Sequence, residues 1–191
     1  MGLRTIFILL EKHGLDYPNY YTRLYGLLLP QKNPHLSVFS ITIQEKVRFL
    51  RLLDLSLRSP KLPSKVIAAF MKRLARVIVS HGEGISSSDK MFSISLIANL
   101  IKRHPRCVRL IHRKRKLYQL NPTFESDPYL DEEKDPSKSK ALKSSLWEID
   151  AIIQSEMDEQ IRNYCKLFKG DISRKTNFFK CEEFAAIDPL E

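Results

Sequence analysis

The chemistry this sequence concentrates is cationic. Lys65, Lys72 and Arg76 stand at offsets of 0, 7 and 11, a spacing that gathers them on one face of a helix with Arg73 close by, and no acid interrupts residues 61–80. A second concentration follows, in which Lys102, Arg103, Arg106 and Arg109 lead into the run Arg113, Lys114, Arg115 and Lys116, eight Lys or Arg within residues 102–116. Side chains of this kind attract polyanions, either a phosphate backbone or an acidic protein segment, and a short basic run also serves as a nuclear-import signal. The stripe on residues 65–76 therefore reads as a contact for a polyanion or as a solvated face. Charge reversal at Lys72 and Arg76 is expected to weaken such a contact and leave the helices intact.

Other chemistry is poorly served. There is no Gly-rich phosphate loop, no GxSxG elbow and no HExxH helix, and the five histidines are scattered. His104, Cys107 and His112 bring only three close ligands where zinc patterns want four at other spacings, so neither metal nor cofactor is expected and the chain reads as non-enzymatic. Lys and Arg outnumber Asp and Glu by 32 to 22 in 191 residues, a formal charge of +10, while 43% hydrophobic content suffices for a core. Three cysteines at wide spacing, Cys107, Cys165 and Cys181, suit a reducing compartment rather than a disulfide framework. The apolar run at residues 6–10 is closed off by Glu11, and no stretch approaches 18 uninterrupted apolar residues, so no membrane span is expected.

The elements that must carry these cations read as helices. A short one is expected over residues 3–12, and a second holds Tyr21, Leu24, Tyr25 and Leu28 at offsets 0, 3, 4 and 7, as a buried aromatic stripe rather than a base-stacking platform. Residues 42–58 are apolar around most of the circumference, with Asp54 among leucines as either a core carboxylate paired with a neighbouring arginine or a residue at an exposed margin. Pro63 opens a helix to about Ser80, whose core side is Val66, Phe70, Leu74 and Val77. After Gly84 another helix carries Ile94, Ile97, Ala98 and Ile101, and His104-Pro105 breaks it ahead of one short helix.

Composition then inverts. Glu125, Asp127, Asp131, Glu132, Glu133 and Asp135 mark an acidic linker over about 119–135, which either spans solvent or folds back on the basic cluster. Asp135-Pro136 suits a helix start, and apolar residues recurring from Leu142 through Ile149, Ile153 and Met157 to Phe168 predict the longest helix of the chain, with Trp147 as a packing anchor. The domain so outlined covers 1–168. The tail, 169–191, has aromatics without a period and reads as incomplete or partner-dependent.

Six ordered strings, YPNYYTRLYGLLLP, FLRLLDLSLRS, LPSKVIAAFMKRLARV, IANLIKRHPRCVRLIHR, DPYLDEEKDP and ALKSSLWEID, resemble the C-terminal domain of the CCAAT-binding-factor family. The similarity runs from about Gly14 to Ile153, loosens beyond Tyr164, and lacks the larger N-terminal part of the family, as a fragment or shortened product would. The resemblance implies an all-α fold, a HEAT- or armadillo-like helical-repeat stack of amphipathic helices, and a nuclear, nucleolar location. It implies a scaffold of the small-subunit processome that binds nucleolar protein 14 and other processome proteins, with pre-ribosomal RNA nearby, in support of pre-rRNA processing and 40S subunit biogenesis. The alternative is a direct RNA-binding module acting through its basic face.

Overall fold

The structure, a computed structural model, describes residues 19–28, 42–80, 84–112, 126–170, 172 and 177–185. Every regular element among them is helical: α1 (Tyr20–Gly26), α2 (Ile43–Leu57), α3 (Ser64–Ser80), α4 (Ser87–Arg103), α5 (Arg109–His112), α6 (Trp147–Ser155), α7 (Glu159–Lys166) and α8 (Cys181–Ala185), with short 3-10 turns at Pro105–Val108, Ala141–Lys143 and Leu167–Lys169. The helix expected over residues 3–12 and the basic run Arg113 to Lys116 lie outside the described residues.

Helix α3 is central. Residues Val66 to Ile78 are buried without interruption, so the helix is covered on all sides rather than on one stripe. It packs on α4, on α6 and on the turn Ala141–Lys143, while α4 also receives α7 and α8. Ser86 caps α4, its hydroxyl accepting the Asp89 amide at 3.2 Å, and Lys102 and Arg103 sit in the last turn where the helix dipole favours cations. Polar ties bridge the layers: Lys46 Nζ meets Asp89 Oδ2 at 2.8 Å between α2 and α4, and the Tyr20 and Ser56 hydroxyls meet at 2.7 Å between α1 and α2. Asp54 is buried and paired, at 2.5 Å with Arg58 and 3.4 Å with Arg103, which is the first of its two readings.

One expectation is corrected. The long helix over residues 136–168 is divided into α6 and α7. Asp135 closes a tight turn by accepting the Ser137 amide at 2.9 Å, and Lys140 takes a left-handed conformation, φ 57°, that a helix does not tolerate. Further on, Glu156 is extended and its carboxylate accepts the Met157 amide, while Asp158 starts a fresh helix by accepting the Gln160 amide at 2.8 Å. Met157, placed by its period on the core stripe, is 88% exposed. Within the tail, Phe179 is tied to α4: Asn99 gives its amide to the Phe179 carbonyl and takes the Phe179 amide, both at 2.8 Å, and α8 packs against α4 and α2.

Candidate functional site

Lys72, Arg73 and Arg76 are 0%, 1% and 2% exposed. Their expected place on a solvent-facing basic stripe is thereby corrected. The reason is the acidic stretch: residues 126–133 fold back and α6 packs alongside, so that three carboxylates, Asp127, Asp131 and Glu148, meet Lys72 and Arg76. Lys72 Nζ lies 2.7 Å from Asp127 Oδ2 and 2.5 Å from Glu148 Oε1, and gives its remaining proton to the Ser145 carbonyl at 2.8 Å. Arg76 reaches the same two carboxylates at 2.5 Å each and Asp131 Oδ2 at 2.7 Å. Lys72 and Arg76 are thus held by carboxylates, and a lone buried cation would be costly without such partners.

Arg73 works differently. Its guanidinium donates to the carbonyls of Tyr25 at 3.0 Å and of Asp131 and Glu133 at 2.8 Å each, and it lies 3.3 Å from the centre of the Tyr25 ring. The fork therefore clamps the backbone of the acidic segment against α1, a task its planar five-donor geometry suits and a lysine cannot copy. Tyr25 and Tyr129 share a 2.7 Å hydrogen bond across the same seam, and the Trp147 indole donates to Asp127 Oδ2 at 2.7 Å. Tyr25 thus packs in the core and Trp147 anchors as well as packs.

Burial would raise the Asp127 carboxyl, but the Lys72 charge, with hydrogen bonds from Lys72, Ser144 and the Tyr129 amide, brings it down to about 2. Full burial pushes Glu148 upward against the pull of Lys72 and Arg76. Its Oε2 is a buried atom without a hydrogen-bond partner. Cys107, Cys165 and Cys181 are free and buried, and burial pushes each thiol up to about 12, which makes them poor nucleophiles. Among the described residues no group of three His, Cys, Asp or Glu is arranged to hold a metal.

The remaining candidates separate into two groups. Lys102 and Arg103 are half-buried under the tail: Lys102 donates to the Asn177 carbonyl and lies 4.4 Å from the Phe179 ring, and Arg103 stacks 4.8 Å from Phe178. Lys65 and Arg106 are exposed and come together in an open groove, joined by Arg109. The sequence signal for the fold-back was the charge inversion after residue 120. Nothing in it singled out Glu148, which lies beyond the acidic stretch in an apolar helix, or the meeting of Lys65 with Arg109.

What these features define is an all-helical protein whose central helix is locked by an internally neutralised ionic cluster. The chain belongs to the CBF/Mak21 family, whose model matches residues 1–163. It is 40% identical over 154 residues to the nucleolar complex protein 4 homolog of Rattus norvegicus, covering 81% of this chain and 27% of that protein. It is 41% identical over 152 residues to the Homo sapiens homolog, 80% of this chain and 26% of that one, and 39% identical over 190 residues to homolog B of Xenopus laevis, 96% and 33%. The chain thus spans about a quarter to a third of the length of the curated relatives it matches. The names of these relatives place them in a nucleolar complex. No helix among the described residues is long and apolar enough to cross a membrane.

Proposed function

We propose that this chain is a non-enzymatic docking scaffold in assembly of the small ribosomal subunit, its helices arranged as a repeat-like stack that binds nucleolar protein 14 within the small-subunit processome and so supports pre-rRNA processing. One observation carries the reading: the family match over residues 1–163 coincides with a helical core whose perturbed carboxylates are committed to its own cations. Asp127, Asp131 and Glu148 are the kind of shifted acids that mark catalytic clefts, yet each is bound to Lys72 or Arg76. Held this way they stiffen a framework, which is what a docking surface needs.

The test is capture of partners by the tagged 191-residue chain from nucleolar extract after nuclease treatment. Nucleolar protein 14 should remain bound once RNA is digested. Release of every processome protein by nuclease would sink the scaffold reading.

A further inference from the structure

We propose that the groove between the start of α3 and the turn Pro105–Val108 is a contact site for the phosphodiester backbone of RNA. Lys65 projects from the first turn of α3, Arg106 from the 3-10 turn and Arg109 from the start of α5, and all three line one open groove with Pro63, Ser64, Pro105 and Leu142. All three are exposed, and none has a hydrogen-bond, ion-pair or ring partner among the described residues. No Asp or Glu lines the groove. The buried cations of α3 are covered, whereas these three, drawn from three elements, converge on one groove with no partner among the described residues.

The polar character of the groove selects the ligand. Two guanidinium forks and an ammonium are donors with no acceptor capacity, and the Ser64 hydroxyl is the one lining side chain that can also accept. Three carbonyls at the groove are already engaged: Pro63 accepts the Val66 amide at 2.9 Å and the Ile67 amide at 3.2 Å, Ser64 accepts the Cys107 thiol at 3.6 Å, and the neighbouring His104 accepts the Cys107 amide at 2.8 Å. A ligand seated here must therefore bring acceptors and few donors. A phosphodiester backbone does so, because its charged oxygens only accept. An acidic peptide brings an N–H with every carbonyl and finds little to receive it. Lys65 also sits at the positive end of its own helix, where a cation is unfavourable and an anion is welcome. With no aromatic side chain lining the groove, the contact is to backbone rather than to bases, and no sequence preference follows.

This goes beyond the scaffold reading and does not depend on it, since capture of a protein partner and affinity for RNA are measured separately. The probe is a fluorescein-labelled single-stranded RNA of mixed sequence, titrated with the full chain by anisotropy at several KCl concentrations. The triple variant K65Q/R106Q/R109Q should lose at least about tenfold in affinity near 0.1 M salt, and its slope of log Kd against log salt should fall by about 2, roughly 0.7 for each lost phosphate contact. An equal charge removed from other exposed positions, R48Q/R51Q/K169Q, should change affinity less than about twofold. R106K/R109K, which keeps charge and fold but loses the forks, should fall between. Equal losses in the two triple variants, no RNA binding by the parent chain, or tighter groove-dependent binding of a glutamate-rich peptide than of RNA would each overturn the assignment.

Discussion

Lys65 and Lys72 stand about two turns apart on α3 and meet opposite fates. The first is exposed with no partner among the described residues, in a groove it shares with Arg106 and Arg109, and the second is sealed between Asp127 and Glu148. The two lie on one helix with no acid in its sequence, so neither local charge nor local propensity separates them. What separates them is the segment that arrives from elsewhere in the chain. Where residues 126–133 and α6 land, cations become core; where they do not reach, cations remain available.

The comparison breaks first at the buried end. The double reversal K72E/R76E puts five carboxylates together where three are now balanced, and it should abolish the cooperative unfolding transition followed by circular dichroism, in place of the benign outcome that a solvated stripe implies. Removing one partner alone, Arg76→Ala, should cost about 3–5 kcal/mol in urea unfolding, because Glu148 and Asp127 lose a cation they cannot replace with water.

Acid sharpens the same point. The Asp127 carboxyl lies below its ordinary value in the folded state, so its contribution to stability is full above about pH 3.8 and is lost as pH falls toward about 2. Asp127→Asn should thus cost about 2 kcal/mol near neutrality. The stability gap between parent and variant should close as urea titrations are repeated from pH 4 down to pH 2. A gap that stays constant over that range would mean the carboxylate is not held by its charge.

Arg73→Lys keeps the charge and removes the fork, leaving carbonyls of Tyr25, Asp131 and Glu133 short of donors; about 1–3 kcal/mol should be lost in thermal or urea unfolding. At the exposed end, K65Q/R106Q/R109Q should move stability by less than about 0.5 kcal/mol while changing RNA affinity. If that triple variant unfolded as readily as Arg76→Ala, the contrast between the two ends of α3 would collapse.

Helical periodicity made α2, α3 and α4 legible almost to their ends, because each has a strong apolar repeat and a local boundary such as Pro63 or His104-Pro105. The same signal concealed the break between α6 and α7. Ile153 and Ile161 both keep period with the core, and a period carries on across a gap that Glu156 and Asp158 create through hydrogen bonds to their own backbone neighbours. The cationic residues were visible as a set, but not which of them would be covered. Covering is a long-range event: Glu148 is 76 positions from Lys72, and its seat in α6 carries no local mark of the charges it meets.

That separation sets an order on the birth of the protein. As the chain leaves the ribosome, α3 emerges with Lys72 and Arg76 bare, and the carboxylates that neutralise them follow 51 to 76 positions later. At a synthesis rate of about 5–20 residues per second, the helix waits several seconds for its lock. During that interval the nascent domain has its least protected face open, and it closes only when Asp127 and Glu148 have both been made.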